Sequence, residues 1–380
     1  MYSIALKMLF GDRTKYLGLV FGVTFASLLL LQQVSIFIGL LERAASVIRD
    51  VRESDVWVMD PSVKTLDVAY PLRETELSRV RGVEGVAWAV PFFKAQASVR
   101  TREGSLENSL ILGVDDASLV GVPDSFVEGS VENLWLPEAI VVDTNGYQLL
   151  FPNQPFEMGR TIEINDKRAV IVGLIDCSAA FSANLIIYSR YSLATQYTNN
   201  GRNQLSFILV KANSDQTPNQ VAERVSAETG LKALTNREIS NLTIGYILEN
   251  TGIPISFGTV VLLGIIVGIA IVGLTFNQFI MENIKQYAAL KAMGVRNSVL
   301  ATMTLVQAFF VGIIGYGLGL GLASLFFTIL PAQSAGLRGF YLPWYIGVGV
   351  FVVAMMIVFV STLISLRRVL YVDPATVFRG

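Results

Sequence analysis

Residues 283–300 read NIKQYAALKAMGVRNSVL. The stretch is charged, helix-forming and closed by Gly294. It lies between two long apolar runs, Pro254–Phe276 and Val299–Leu330. Two further runs of the same kind occur, at Tyr16–Leu41 and Pro343–Leu366. Each exceeds the roughly 20 residues a helix needs to cross a bilayer. None contains Asp, Glu, Lys or Arg, each of which would cost about 3 kcal/mol at mid-membrane. A soluble core does not explain that absence in all four. The polar stretch is thus a short helix between two membrane spans.

Composition agrees. Of 380 residues, 52% are hydrophobic and 16% charged, where a soluble protein carries roughly 25% charged residues. The net charge of −1 gives no bulk field to attract nucleic acid. Histidine is absent, which removes the commonest general base and transition-metal ligand. A single cysteine, Cys177, leaves no disulfide within the sequence and no thiol pair for zinc. No GxxxxGK[ST] loop, GxSxG elbow or HExxH pair is present. No catalytic residue and no metal site is expected. The spans hold no ionisable side chain to relay protons or bind driving ions, so energy for transport would come from another subunit.

Basic residues near the spans set the expected orientation. Lys7, Arg13 and Lys15 precede the first span, and Lys285, Lys291 and Arg296 follow the second. Arg367, Arg368 and Arg379 lie in the tail, while the loop between spans three and four has only Arg338. Both termini and the 277–298 loop are expected in the cytoplasm, with 42–253 and the short loop 331–342 outside. Segment 1–15, with Ile4, Ala5, Met8 and Leu9 on one face, suits a cytoplasmic amphipathic helix. The spans are 16–41, 254–276, 299–330 and 343–366, and 367–380 is a cytoplasmic tail. The first run is too long for a cleaved signal peptide.

Within the external region two strand–helix–strand units stand out. The first has Val56–Met59, Pro71–Val80 and Phe92–Arg100, and the second Ser206–Lys211, Pro218–Thr229 and Leu231–Leu234. Paired, they make a split βαβ sandwich over 50–114 and 203–240. Between them, 115–202 reads as an inserted, mostly β subdomain, with strands at AIVVD, TIEIN and RAVIVGLID. The predicted fold class is an α-helical membrane protein with four transmembrane helices and a large α+β extracytoplasmic domain between the first and second.

On the polar helix, Ile280, Ile284 and Tyr287 share one stripe, and Leu290 and Met293 extend a second patch. Gly294 suits the left-handed conformation that ends a helix. Such a helix either transmits force between the spans or simply connects them along the headgroups. In the third span, Gly312, Gly315 and Gly319 are spaced for close packing, expected against the fourth or second span. Phe340, Tyr341 and Trp344 are expected interface anchors.

The stretch QYAALKAMG, 286–294, resembles the signature loop of FtsX/MacB-type permeases, the membrane subunits of type VII ABC systems. The tail 373–379, DPATVFR, with Asp373, Pro374 and Arg379, resembles the family's ending. DevC-type members look most similar. The resemblance implies that 277–298 is a coupling helix seated on a separate ABC ATPase, which would carry the ATP and magnesium. Its contact set would be Glu282, Lys285, Gln286, Tyr287, Leu290, Lys291, Met293, Gly294 and Arg296. A second permease copy or paralogue, a periplasmic adaptor and an outer-membrane channel are the implied partners, in the inner membrane. The external halves correspond to porter-like and Sabre-like subdomains. The implied function is mechanotransmission for export or extraction of a lipid, glycolipid, haem, peptide or drug. The alternative is an FtsX-type regulator that passes ATPase motion to a cell-wall hydrolase. Many relatives carry glutamate early in the third span where this sequence has Gln307.

Overall fold

The computed structural model describes residues 2–11, 13–51, 53–101, 104–198, 205–333 and 339–370. The described chain divides into a helical unit and a unit drawn mainly from Gly39–Thr251.

The helical unit opens with α1 (Tyr2–Gly11) and α2 (Arg13–Ala44). It resumes with α9 (Ile253–Glu282), α10 (Ile284–Ala292), α11 (Asn297–Gln333) and α12 (Trp344–Leu370). Four helices are long and apolar enough to cross a membrane, over Tyr16–Ala44, Ile253–Glu282, Asn297–Leu330 and Trp344–Leu366. Hydrocarbon solvates leucine as well as a protein core does, so helices associate through close approach and hydrogen bonds. Gly18, Gly22, Ala26 and Leu30, four residues apart on α2, meet Thr275, Ile271, Gly268 and Gly264 of α9 in antiparallel order. A methyl group added at Gly22 would lie 2.8 Å from Ile271. The Ser361 hydroxyl of α12 donates to Ile269 O (3.1 Å) and Ser365 to Gly273 O (3.3 Å).

The glycines of α11 pack differently from expectation. A Cβ at Gly315 would sit 2.6 Å from Val23, and one at Gly319 would sit 2.8 Å from Ser27 and 2.9 Å from Thr24 O. Both therefore face the first span rather than the second or fourth. Gly312 alone meets the fourth, 2.8 Å from Met355 Cε. The first span presents a small face to two neighbours, Gly and Ala toward α9, Thr and Ser toward α11. That leaves the closest approach to α11 on its side.

The second unit contains α3 (Ser46–Asp50), β1 (Val56–Met59), α4 (Glu74–Arg81), β2 (Val86–Arg100) and β3 (Leu106–Val114). Next come β4 (Phe126–Glu128), β5 (Ala139–Asp143), α5 (Thr144–Leu150), β6 (Thr161–Ile164), β7 (Lys167–Ile175), β8 (Leu185–Arg190) and α6 (Tyr191–Tyr197). It closes with β9 (Phe207–Ala212), α7 (Pro218–Thr229), β10 (Lys232–Thr235) and α8 (Asn236–Asn250). The sheet order is β10-β1-β9-β2-β3-β8-β5-β7-β4, with β6 against β2 and β7.

One strand joins the two halves. The first part of β2, Val86–Phe92, pairs with β9. Its second part, Phe93–Arg100, pairs with β3. β3, placed by its position in sequence with the first half, runs parallel to β8 of the inserted half. A strand chooses its partner by the face it can bury, and Leu110, Ile111 and Leu112 are all buried here. Two short helices, α5 and α6, also lie in the inserted, mostly β half, where no helix was singled out. Asp143 caps α5 by accepting from Gly146 N, and its other oxygen accepts from Ile186 N. The helix α8 was not anticipated. It starts at a capping box, Thr235 with Glu238, and Asn236 accepts from Trp57 Nε1 at 2.9 Å. Trp57 is fully buried, edge-on to Phe92 and Phe207.

Candidate functional site

The stretch 283–300 folds as a clamped helix. α9 ends where Asn283 breaks the run (φ −87°, ψ 8°), and its side-chain amide donates to Phe279 O at 2.8 Å. α10 follows at once. Its far end is a Schellman motif. Gly294 takes φ +88°, its N–H donates to Lys291 O, and Val295 N–H donates to Leu290 O. Val295 and Leu290 both pack against the core of the helical unit. A residue with Cβ resists that left-handed turn, so the glycine fixes both the length and the exit direction of α10.

The helix has two faces. Inward, Ile280, Tyr287 and Ala288 are essentially buried. The Tyr287 hydroxyl donates to Gln307 Oε1 of α11 at 3.1 Å, and Gln307 is fully buried. Burial pushes the Tyr287 phenol above its usual range, with hydrogen bonds to Thr304 and Gln307 opposing. Outward lie Glu282, Lys285, Gln286, Met293, Gly294 and Arg296. Met293 is the most exposed of the apolar ones, at 72%.

Two residues of the expected partner-contact set, Tyr287 and Leu290, pack against the helical core. Tyr287 faces the third span and anchors α10 there. Leu290 is half-buried against the helical core. Lys291 is also half-buried. The apolar stripe through Ile280 and Tyr287 is covered by protein, so it is not a headgroup-facing surface. The sequence marked Gln307 only by its polarity in an apolar run and by the glutamate that many members of the resembled family carry there, and neither signal pointed to Tyr287. A neutral amide accepts the phenol's hydrogen bond without placing a charge in the span.

The other predicted residues are placed as follows. Gly312, Gly315 and Gly319 make the interhelical contacts given above. Leu9 of α1 is buried within the helical core. Trp344 and Tyr341 are exposed, at 80% and 49%, while Phe340 is buried. Asp373, Pro374 and Arg379 lie outside the described residues. Burial first, and then the charges of Asp143, Asp50 and Asp176, push the Cys177 thiol well above its usual range and disfavour the reactive thiolate. Among the described residues no group of three or more His, Cys, Asp or Glu could hold a metal. The inserted half carries a mixed-charge groove of about 880 Å³ beside β6. Arg160 lies over Phe151 there and pairs with Glu157 at 2.8 Å.

Four apolar spans, a mixed α/β unit between the first two, and a capped polar helix between the second and third define a multi-pass membrane protein. Residues 16–228 match the family model described as MacB-like periplasmic core domain, and 258–374 that described as FtsX-like permease C-terminal. The chain belongs to the FtsX/MacB-like permeases of ABC transporters. The macrolide export ATP-binding/permease protein MacB of Photorhabdus laumondii is 25% identical over 259 residues, 65% of this chain. The match spans 39% of the length of that curated relative. The periplasmic region of MacB from Actinobacillus actinomycetemcomitans superposes with TM-score 0.39 at 15% identity, over 54% of this chain and 96% of that one. The extracellular domain of the noncanonic ABC-type transporter YknZ from Gram-positive bacteria gives TM-score 0.36 at 14% identity, over 48% of this chain and 98% of that one.

Proposed function

We infer that the chain is a force-transmitting permease subunit of an inner-membrane ABC exporter, driven by ATP hydrolysis on a separate subunit. The observation that carries this reading is the two-faced α10. Its inner face is locked to the third span through Tyr287 and Gln307, and its outer face presents Lys285, Gln286 and Met293 to a partner. A partner that displaced this helix would move α9 and α11 with it, because only Asn283 on one side and a four-residue turn on the other intervene.

In this reading α10 and both chain ends face the cytoplasm, where the ATPase works. The external sheet unit, together with a second permease copy, meets the adaptor and acts on the cargo. The cargo is a lipid, glycolipid, haem, peptide or drug. The test is Lys285→Glu combined with Met293→Asp, both on exposed positions. The expected outcome is a full-length protein that stays in the membrane at normal level, fails to co-purify with a soluble ATPase, and no longer supports export. Normal export and normal co-purification would overturn the assignment.

A further inference from the structure

The inserted half closes into a barrel. The second part of β2 pairs with β3, β3 with β8, β8 with β5, β5 with β7, β7 with β6, and β6 returns to β2. Closure removes strand edges. Here the last seam is short, because β2 meets β6 only through Val99 with Ile164 and Arg100 with Glu163. β2 ends at Arg100, and among the described residues Thr161 and Ile162 of β6 have no strand partner on that side.

Thr161 is the open position. It stands opposite Val170 of β7. Val170 donates its N–H away from β6, to Glu138 O. In an antiparallel ladder, opposite residues exchange both bonds or neither. The Thr161 N–H and C=O therefore point away from β7, toward the open side, and Thr161 is exposed. Such a pair of main-chain groups on a strand edge is a template for another strand.

The edge is recessed. Residues 159–163 line one side of the groove of about 880 Å³, a volume within the ~300–1,000 Å³ of ligand sites. Ile162, with Leu150 and Phe151 from the end of α5, gives it an apolar floor. Arg160 is held as a fixed wall by Glu157, Gln154 and the Phe151 ring. Arg100 on the opposite rim is more loosely held, 3.7 Å from Glu163 and 3.6 Å from Asp166. The cations Arg100, Arg160 and Arg168 balance the acids Glu157, Glu163 and Asp166. A balanced rim gives a highly charged ligand no advantage and complements a chain that carries side chains of both signs. Walls on both sides admit a lone extended chain more readily than the edge of a second folded copy.

We propose that this groove binds an extended, charge-balanced peptide segment of a partner polypeptide, which adds as a strand to β6 at Thr161. Binding here needs no ATPase, so the purified full chain suffices for the test.

That test is fluorescence anisotropy in detergent with a labelled peptide of about ten residues, alternating valine and threonine with one lysine and one glutamate. A second probe has the same side chains with every main-chain nitrogen methylated, which removes the donors of a ladder. The ordinary peptide is expected to bind, and the methylated one at least about tenfold more weakly. Thr161→Pro removes the outward N–H, a change an edge position tolerates, and should weaken the ordinary peptide about fivefold. Thr161→Val keeps the main chain and should leave binding unchanged. Should Thr161→Pro lower the thermal midpoint, the methylated probe decides alone. No binding below ~1 mM, equal binding of the two probes, or equal loss in Thr161→Val and Thr161→Pro would overturn the proposal. So would a peptide-free dimer that Thr161→Pro converts to monomer, which would assign the edge to a second copy.

Discussion

The two units solve the same packing problem in different solvents. In the external sheet, large side chains fill the interior, with Trp57 edge-on to both Phe92 and Phe207. Water drives that burial. In the helical unit the closest contacts involve the smallest residues, and hydroxyls donate across helices to backbone carbonyls. The first unit is therefore sensitive to losing atoms and the second to gaining them.

The strongest test of that contrast is Trp57→Ala. It removes the aromatic cluster and strands Asn236, whose amide holds the start of α8 through Trp57 and Ser54 O. We expect the external unit to lose about 3–5 kcal/mol, read as a lower denaturation midpoint of the purified full chain. Next comes a buried charge in the same unit. The Lys94 ammonium is nearly buried, donating to Asp67 at 2.8 Å and Leu66 O at 3.0 Å. Burial holds its pKa below the usual lysine range, with Asp67 opposing. Asp67→Ala leaves that cation without its counter-ion and should destabilise by about 3 kcal/mol, whereas Lys94→Met should cost distinctly less. Equal losses would mean that the ion pair is not what holds the loop before α4.

In the helical unit, Gly319→Leu should cost about 1–3 kcal/mol or prevent assembly, because backbone atoms Thr24 O and Leu28 N stand where the side chain would go. A thermal-shift measurement in detergent reads it. If that substitution were neutral, α2 and α11 would not be packed as described. The smallest effect is Tyr287→Phe. It removes one buried hydrogen bond and leaves Gln307 Oε1 without its phenol donor, a loss of about 1 kcal/mol. Its more telling consequence is looser coupling of α10 to α11, visible as faster hydrogen exchange across 284–292.

How much of this was legible in the residues depends on the range of the contact that decides each feature. The four spans were legible because a charge-free run of that length has few other uses. α7 was legible because its cap, its proline and its closing glycine are all local: Thr217, Pro218 and Gly230. The same holds for Gly294 at the end of α10. The pairing of β3 with β8 was not legible because β8 lies more than 70 residues further on. α8 was missed because its buried positions, Ile239, Thr243 and Ile247, make a narrow stripe interrupted by a threonine. In the polar helix both apolar patches were visible. Which one faced inward was not, because that depends on Gln307 in the next helix.

In the proposed function the outer face of α10 meets an ATPase on the cytoplasmic side. The direct measurement is a single cysteine at that face, Met293→Cys in a Cys177→Ser background, probed in sealed membrane vesicles of known sidedness. Labelling by a membrane-impermeant maleimide is expected from the cytoplasmic side only. A cross-link from this position to a nucleotide-hydrolysing subunit is expected as well. Labelling from the external side, or full export activity in a chain with no such subunit present, would contradict the proposed function.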